Sequence, residues 1–400
     1  MKSLFSRALT GATILLTVVG TGMTQAAAAN AHASSRAVCG AVSAGFARCS
    51  SHVLTDARGN PLASASTPSG YGPAQFHGAY SLPTTATGAQ TIAIVDAYDD
   101  PTAKADLDTY DSTYGLLPFP SCGGPVTTAC FQKVNQDGNA APLPNKNAGW
   151  ALEIALDVET AHEICQNCKI LLVEANTNSF ANLGTAVNTA AGLGANAISN
   201  SYGGSDSSAT SAYNHPGIAV TASSGDNGYG VESPASYNTV VAVGGTTLNL
   251  GANNSYGSES VWSGSGSGCS TLNPAQAWQT AAAVWTATGC GSKRGVADVA
   301  ADADPNTGAA VYDSTRYQGR VGWYTVGGTS LSSPLIAAVY ALAGNASSAS
   351  YPASIPYAHT SSLHDVTAGS NGTCSTTMCK GAAGYDGPTG VGTPNGTGAF

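Results

Sequence analysis

The feature that most constrains the fold is a regular alternation of short apolar runs with helix-like segments between residues 91 and 243. The apolar runs cover residues 91–98, 169–174, 196–202, 217–222 and 239–243, and helical patterns cover 101–114, 149–165 and 182–193. Apolar strands that alternate with helices predict an α/β domain, a mostly parallel sheet with helices on both faces. Binding sites in such sheets lie beyond the carboxyl ends of the strands. We therefore expect the Asn-Ser-Tyr-Gly-Gly run at 200–204 to line a cleft.

A candidate nucleophile lies near the C-terminal end, in the run Gly-Gly-Thr-Ser-Leu-Ser-Ser-Pro at 327–334. The run follows a β-prone segment and leads into an apolar segment, 335–343, that is typical of a buried helix. Ser332 or Ser333 is expected to cap that helix, with Pro334 in its first turn. Ser330 then lies at a helix N-terminus, where backbone N–H groups favour a developing oxyanion. The alternative is a Gly-Ser loop that only starts a helix.

A candidate base lies on the helix predicted over 149–165, and it is a carboxyl group. Glu153 and Asp157 are four residues apart, so they lie on one face about one turn apart. Their neighbours are apolar nearly all round the helix, which indicates burial. Two close, buried carboxyl groups cannot both ionise easily, so one pKa rises, which suits proton transfer at acidic pH. Alternatively, both carboxyl groups point to solvent.

A third motif, Ser-Gly-Asp at 224–226, lies between the Glu153–Asp157 pair and the Ser330 run. The three motifs, in this order, resemble those of the sedolisins, serine-carboxyl peptidases with the subtilisin-like fold. The resemblance covers residues from about 70 to 400. It implies that Ser330 is the nucleophile, that Glu153 is the general base and that Asp157 shares a proton with Glu153. It also implies that protonated Asp226 donates a hydrogen bond to the oxyanion. Read without that context, Asp226 belongs to a simple Asp-Asn-Gly turn.

The resemblance also implies one structural calcium ion near the C-terminus. Carboxylates and backbone carbonyls are ligands that calcium accepts in sets of six to eight oxygens. The alternative is a pair of aspartate turns. By position, the implied ligands are two carboxylates and three backbone carbonyls, from Asp365, Asp386, Val366, Ala382 and Gly384.

The N-terminal region is predicted to be an export signal followed by a short leader. Residues 1–33 combine a basic start, an apolar run and small residues typical of a secretory signal peptide. Residues 34–69 are rich in Ser, Ala, Gly and Pro, and we expect a poorly structured leader or propeptide-like segment. Residues 70–400 form the predicted peptidase domain. Nothing the size of the long sedolisin prodomain fits before Tyr71. We expect a secreted, extracellular protein.

Cysteine usage and charge support that expectation. The order of the ten cysteines suggests five local disulfides, although it does not prove their connectivity, and a metal or redox role for the Cys-x-x-Cys pair is the alternative. The net charge of −9 argues against nucleic-acid binding. No run after the signal is long enough to span a membrane, and we expect a monomer. The suggested pairs are Cys39–Cys49, Cys122–Cys130, Cys165–Cys168, Cys269–Cys290 and Cys374–Cys379.

The sequence therefore predicts a secreted, acid-active serine-carboxyl peptidase that hydrolyses peptide or protein substrates through an acyl-enzyme. One alternative is a secreted, calcium-stabilised binding protein on the same fold with little or no activity. A subtilisin with a histidine base is another. Asp96, at the end of the first apolar run, is reminiscent of the catalytic aspartate strand of subtilisins, but no His-Gly-Thr motif follows. We interpret Asp96 as structural or cleft-lining.

Overall fold

The computed structural model of the chain describes residues 1, 34–123 and 129–400. Apart from Met1, the predicted signal peptide lies outside these described residues. None of the helices in the described part has the length and apolar character needed to cross a membrane. The helices are α1 (Pro73–Tyr80), α2 (Ala103–Tyr114), α3 (Ala148–Ile164), α4 (Phe180–Gly192), α5 (Ala277–Thr280), α6 (Thr329–Ala343) and α7 (Ser354–Ala358).

The strands are spread over the whole described chain, and their bounds are as follows: β1 (Ser34–Ala37), β2 (Arg48–Cys49), β3 (His52–Thr55), β4 (Ala63–Ser64), β5 (Thr91–Ala97), β6 (Phe131–Asn135), β7 (Lys169–Ala175), β8 (Ala197–Asn200), β9 (Tyr202–Ser205), β10 (Ala219–Ser223), β11 (Glu232–Ser233), β12 (Val241–Leu250), β13 (Tyr256–Val261), β14 (Gly268–Pro274), β15 (Lys293–Val296), β16 (Val299–Asp302), β17 (Ala309–Tyr317), β18 (Arg320–Gly327), β19 (Leu363–His364) and β20 (Thr393–Pro394).

The core of the molecule is a sheet with the strand order β13-β12-β10-β8-β5-β7-β6, in which β16 also pairs with β12. Every pairing in it is parallel except that of β13 with β12. All residues of β5 and β7 beyond the first are buried, so both faces of these strands are covered. Helix α6 packs on β8, β10, β12 and β16, whereas α4 packs on β5 and β7. The predicted α/β fold with a mostly parallel sheet is confirmed.

Helix α3 crosses the interior as the sequence pattern predicts. The side chain of Asn147 caps it by accepting the N–H groups of Gly149 and Trp150 at 3.0 and 3.2 Å. From Trp150 to Ile164 every residue of the helix is buried. The helix packs against α6, β5 and β17, and it therefore carries Glu153 and Asp157 into the protein interior.

Helix α6 begins earlier than the sequence suggested. Its N-cap is Gly328, so the helix includes Ser330, and Pro334 lies inside it instead of in its first turn. A proline has no N–H to donate to the carbonyl four residues earlier. The hydroxyl of Ser201 supplies that donor instead, at 3.4 Å from the Ser330 carbonyl oxygen. The expected cap at Ser332 or Ser333 is therefore wrong, because the helix has already begun at Thr329.

The leader segment, residues 34–69, is also more ordered than expected. It forms β1 to β4, and β3 pairs with β1 on one side and with β18 on the other in an antiparallel sheet completed by β17. Strand β18 runs directly into the Gly327-Gly328 turn before α6. The leader segment is thus attached beside the candidate nucleophile, and the expectation that it is poorly structured is wrong.

All five suggested disulfide pairs are present, and no cysteine is free. Each bond closes a short local loop, the longest with a sequence separation of 21 residues. The pairing of Cys165 with Cys168 removes the metal-site alternative, because a disulfide sulfur is not a thiolate ligand.

Candidate active site

The four residues predicted to carry the chemistry come from different elements that meet at one edge of the central sheet. Ser330 lies in the first turn of α6, while Glu153 and Asp157 lie on the buried helix α3. Asp226 follows the end of β10, as expected for a residue beyond the carboxyl end of a parallel strand. Glu153, Asp157 and Ser330 are fully buried, and the side chain of Asp226 is 4% exposed.

Ser330 is held by backbone groups on both of its polar sides. Its hydroxyl donates a 3.1 Å hydrogen bond to the carbonyl oxygen of Ser201, the residue that follows β8. Its backbone N–H points away from α6, because it belongs to the first turn, where intrahelical acceptors are missing. The preceding Gly328 has a φ of +98°, and a Cβ there would collide with Asp226 Oδ2, so the close approach requires glycine.

Glu153 and Asp157 share the protein interior with a third carboxyl group, that of Asp96 at the end of β5. None of the three carboxyl groups has a hydrogen-bond partner among the described residues. Burial raises the pKa of Glu153, and the hydroxyls of Ser330 and Ser51 lie close enough to offset part of the rise. Burial raises the pKa of Asp157 as well, and the charges of Asp96 and Glu153 add to it. Because like charges this close oppose joint ionisation, the cluster retains protons.

One carboxylate oxygen of Asp226 accepts hydrogen bonds, whereas the other has no hydrogen-bond partner among the described residues. Its Oδ1 accepts both the N–H and the hydroxyl of Thr329 at 2.8 Å, which fixes the carboxyl group against the start of α6. Its Oδ2 is buried and has no hydrogen-bond partner among the described residues. Burial raises the pKa of Asp226 to about 7, and the two bonds from Thr329 lower it only in part. Protonated Oδ2 is therefore a hydrogen-bond donor beside the N–H of Ser330.

Residues 48–53 of the leader segment, here called the cleft strand, cross this site in an extended conformation. On the N-terminal side, Arg48 pairs with Gly203 of β9 in antiparallel register. The N–H of Ser50 donates a 3.1 Å hydrogen bond to the same Ser201 carbonyl oxygen that accepts the hydroxyl of the candidate nucleophile. The Asn-Ser-Tyr-Gly-Gly run therefore lines a cleft, and the chain's own backbone occupies it.

At the centre of the site, the N–H of Ser330 donates a 2.8 Å hydrogen bond to the carbonyl oxygen of Ser50. A Cβ on Gly328 would collide with this carbonyl oxygen as well as with Asp226 Oδ2, so both atoms approach Gly328 from one side. On the C-terminal side, His52 pairs with Gly327 at the end of β18. The cleft strand is thus bound by backbone pairing before and after the Ser50 carbonyl.

A histidine does lie beside the site, and it belongs to the cleft strand. His52 Nε2 is 3.9 Å from Asp226 Oδ2, and its ring packs edge-on against Trp262 at 5.8 Å between centroids. Burial, followed by the charge of Arg48, lowers the pKa of His52 to about 4. The ring is therefore neutral over most of the acid range.

The predicted calcium ligands lie on two neighbouring C-terminal loops. Asp365 Oδ2 accepts the N–H of Gly384 at 2.9 Å, and Asp386 Oδ2 accepts the N–H of Ala382 at 3.0 Å. Asp386 is fully buried, and burial raises its pKa to about 8, with a further contribution from the charge of Asp365. Neither carboxylate forms an ion pair within residues 34–123 and 129–400. Asp386 Oδ1 also accepts the N–H and the hydroxyl of Thr389 at 2.9 Å. Carboxylates without a basic partner are ligands that a hard cation accepts.

A different acidic group lies at the start of α2. One carboxylate oxygen each from Asp100, Asp106 and Asp313 lies within 4.8 Å of the others. Hydroxyl and backbone donors from Thr102 and Thr315 satisfy part of this group. No local pattern in the sequence identifies this cluster, because its members come from segments more than 200 residues apart.

The model of the subtilase family (Peptidase_S8) matches residues 127–376, more than half of the chain. Sedolisin of Pseudomonas sp. (strain 101) is 26% identical over 380 residues, which cover 84% of this chain and 60% of sedolisin. Kumamolisin of Bacillus sp. (strain MN-32) is 31% identical over 306 residues, which cover 68% of this chain and 52% of kumamolisin. The chain belongs to the subtilase family, in its sedolisin branch.

A comparison with solved structures supports the subtilisin-like α/β fold. A solved structure of Pseudomonas sedolisin, described as a serine-carboxyl proteinase complexed with two molecules of pseudo-iodotyrostatin, has a TM-score of 0.65 and 24% sequence identity. The match covers 82% of this chain and 96% of that one. The chain spans 60% of the length of curated sedolisin and 52% of that of kumamolisin.

In this sedolisin-type chain, three further residues lie beside the predicted catalytic groups. Asp96, which we interpret from the sequence as structural or cleft-lining, lies near both carboxyl groups of α3 and raises the pKa of Asp157. Its position at the end of an apolar strand was the available signal. Ser50 and His52 were overlooked because the Ser- and Gly-rich composition of the leader segment indicated irregular structure, and no local pattern identified their distant partners.

Proposed function

We propose that the chain is a secreted, acid-active serine-carboxyl peptidase that hydrolyses peptide bonds in peptide or protein substrates. The observation that carries the proposal is the Ser50 carbonyl oxygen, bound to the N–H of Ser330 at 2.8 Å within a cleft that pairs with an extended backbone. A carbonyl in this position lies beside a buried serine hydroxyl and unpartnered carboxyl groups. These are the groups that acyl transfer from a peptide to water requires.

In the first step, Ser330 Oγ attacks the substrate carbonyl carbon and its proton passes to Glu153. Glu153 suits this role because it is buried close to the serine hydroxyl and has no competing hydrogen bond. It later returns the proton to the leaving amine. Burial, followed by the charge of a neighbouring carboxylate, raises the pKa of both Asp96 and Asp157, and the charge of Glu153 contributes to each, which keeps a proton within the cluster. The three carboxyl groups titrate together, so no single ionisation belongs to one of them.

The oxyanion that forms in this step has two donors, the N–H of Ser330 and the protonated Oδ2 of Asp226. The Thr329 bonds to Oδ1 orient the Asp226 carboxyl group and leave Oδ2 free for this purpose. With a pKa of about 7, Asp226 is neutral in acid and loses its proton near neutrality. Activity is therefore expected in acid and is expected to fade toward neutral pH.

One structural calcium ion is part of the proposal. Asp365 and Asp386 would contribute carboxylates, and Val366, Ala382 and Gly384 would contribute backbone carbonyls. The ion supplies charge neutralisation and a link between two loops, and it has no part in bond cleavage. The chain just after the second loop is bound to β16 of the central sheet, where the N–H of Ala300 donates to the carbonyl oxygen of Gly392 at 3.0 Å.

Secretion is supported by the five disulfides, which persist in oxidising surroundings. The net charge of −9 supports a protein or peptide substrate over nucleic acid. We propose that the chain acts as a monomer and away from the membrane.

A second candidate is a calcium-stabilised binding protein with little or no activity. It is favoured by one observation, namely that the cleft strand fills the site that a substrate would need. The intact set of Ser330, Glu153, Asp157 and Asp226 favours the peptidase.

Hydrolysis of denatured casein at pH 4 distinguishes the two candidates. The purified protein is compared with its Ser330→Ala variant and with Ser332→Ala as a matched control on the same helix. The Ser332 hydroxyl donates to the Thr329 carbonyl oxygen at 3.0 Å, so its loss leaves the catalytic groups in place. We expect Ser330→Ala to lose about 10⁴-fold or more of the activity. Equal activity in Ser330→Ala and the wild type contradicts the assignment, and a folded wild type without activity favours the binding protein.

A further inference from the structure

The acidic group at the start of α2 takes no part in the proposed reaction, and it is here called the aspartate cluster (Asp100, Asp106 and Asp313). Asp100 and Asp313 are fully buried, and Asp106 is 2% exposed. One carboxylate oxygen of each lies within 4.8 Å of the others. They come from three separate segments, namely the turn after β5, helix α2 and strand β17. Three carboxylates this close in the interior oppose one another's ionisation unless a positive charge offsets them.

Neutral donors occupy only part of the aspartate cluster. Ser314 donates its N–H and its hydroxyl to the two oxygens of Asp106, at 3.0 and 2.6 Å. The hydroxyl of Thr102 lies 3.0 Å from Asp100 Oδ1 and 2.6 Å from Asp106 Oδ2. However, Asp100 Oδ2 and Asp313 Oδ2 are buried and have no hydrogen-bond partner among the described residues. The cluster therefore has unfilled acceptor atoms on two of its three carboxyl groups.

Basic side chains do not compensate the aspartate cluster. In the part of the chain that the structure describes, none of its three carboxylates forms an ion pair with a lysine, arginine or histidine. The ammonium group of Lys133 donates to the backbone carbonyl oxygen of Asp100 at 2.7 Å, not to its carboxylate. Its ion pairs are with Asp99 and Glu174. A water molecule would fill the free acceptors and leave the negative charge in place, whereas a cation offsets it.

An independent observation comes from Tyr324, which does not belong to the aspartate cluster. Tyr324 is fully buried, and its hydroxyl has no hydrogen-bond partner among the described residues. Because Tyr324 of β18 pairs with Val311 of β17, its side chain and that of Asp313 are diagonal neighbours on one face of the hairpin. Burial raises the pKa of Tyr324, and the charge of Asp313 adds to the rise, which agrees with this proximity. An ion that binds oxygen atoms would satisfy the hydroxyl and the free carboxylate oxygen together.

A further acidic side chain approaches the aspartate cluster from α3. Glu159 is 2% exposed, and its Oε2 accepts the N–H of Tyr312, the residue before Asp313, at 3.0 Å. Its Oε1 is buried and has no hydrogen-bond partner within the described part of the chain. Burial raises the pKa of Glu159, and the charges of Asp106 and Asp313 add to it. The negative charge around the cluster therefore exceeds that of its three members.

We propose that the aspartate cluster binds one calcium ion, at a site separate from that of Asp365 and Asp386 and independent of the proposed peptidase function. Calcium takes six to eight oxygen atoms, from carboxylates and from neutral groups. The cluster offers three carboxylates, with the hydroxyls of Thr102, Thr315 and Tyr324 beside them. Magnesium fits less well, because it retains several water molecules whereas these groups are buried. The ion would join the turn after β5 to the hairpin of β17 and β18, and β18 runs into the helix that carries the nucleophile.

The experiment counts the calcium ions bound per chain in full-length Ser330→Ala at pH 8, where protons compete least with a cation for carboxylates. The chain is stripped with a chelator and dialysed against a calcium series. We expect one ion fewer when Asp313→Asn is added to Ser330→Ala. Glu163→Gln in the same background is the matched control, because it removes a buried carboxylate that is bound to Tyr110. The control is expected to keep the count of Ser330→Ala.

Tyr324→Phe removes one oxygen and no charge, and it is expected to weaken calcium binding at this site about tenfold. Asp365→Asn separates the two sites, because the ion lost in Asp313→Asn is expected to be lost in the presence of Asp365→Asn as well. An equal count with and without Asp313→Asn overturns the proposal. If Asp313→Asn does not fold, an unchanged calcium affinity in Tyr324→Phe overturns it. Displacement of the ion by an equal concentration of magnesium overturns the assignment to calcium.

Discussion

The N–H of Ser330 donates its hydrogen bond to the carbonyl oxygen of Ser50, 280 residues earlier in the chain, at 2.8 Å. The same serine lies close to Glu153 and, through Thr329, to Asp226. A peptide carbonyl, a hydroxyl and two carboxyl groups of raised pKa therefore meet at the start of one helix.

The first prediction concerns the oxyanion donor. Replacing Asp226 by Ala removes the donor beside the Ser330 N–H and is expected to lower kcat by about 10²–10³-fold. Asp226→Asn keeps a donor that does not titrate, so it is expected to retain more activity than Asp226→Ala. Its residual activity is also expected to lack the loss near pH 7 that deprotonation of Asp226 causes. The measurement is kcat against pH from 3 to 9 for both variants. Equal losses in the two variants contradict the donor role.

The second prediction concerns substrate preference. Glu232 pairs with Arg48, which lies two residues before Ser50, whose carbonyl oxygen the Ser330 N–H binds. Free peptides are therefore expected to be cut better when the residue two positions before the cleaved carbonyl is Arg than when it is Leu. The preference is expected to fall about fivefold in Glu232→Gln, since a partly exposed ion pair contributes about 1 kcal/mol. The ratio of kcat/KM for two peptides that differ only there measures it. If Glu232→Gln leaves the ratio of kcat/KM for the two peptides unchanged, Glu232 does not select the substrate residue at this position.

The third prediction concerns stability against pH. Burial is the main cause that raises the pKa of Glu163 to about 8, of Glu174 to about 9 and of Asp313 to about 8. The folded protein therefore binds more protons than the unfolded chain between about pH 4 and 8, and the free energy of unfolding falls as pH rises through this window. The melting temperature of Ser330→Ala, which avoids self-digestion, is expected to be higher at pH 4 than at pH 7.5. The reverse order contradicts the account of these carboxyl groups.

The fourth prediction concerns calcium. Adding a chelator at pH 6 to Ser330→Ala is expected to lower its melting temperature, because an ion at 100 times its Kd stabilises the fold by about 2.7 kcal/mol. Asp365→Asn is expected to lose most of this response, since it removes an exposed carboxylate of the predicted set. Asp206→Asn, which alters a carboxylate that binds Ser270 elsewhere, is the control. A chelator effect of equal size in all three proteins places the ion elsewhere.

The sequence was sufficient to predict what depends on local pattern. The period of α3 placed Glu153 and Asp157 on one buried face, and the apolar runs predicted the parallel sheet whose edge holds Asp226. It was not sufficient for contacts between distant segments. Strand β3 is four residues long, too short for a clear alternation, and it is ordered because β18 lies beside it. The sequence of the leader segment therefore indicated irregular structure, because the strand that pairs with it follows about 270 residues later.

The central claim is that the base of Ser330 is the carboxyl group of Glu153. The most direct measurement is kcat/KM on denatured casein from pH 2 to 9 for Glu153→Gln and Glu163→Gln. Both residues are buried on α3, and burial raises the pKa of both, but Glu163 is bound to Tyr110 away from the serine. We predict that Glu153→Gln loses about 10²–10⁴-fold at the acid optimum while Glu163→Gln retains most of the activity. Glu153→Gln with wild-type activity, or an optimum at neutral pH that depends on a histidine, contradicts the account.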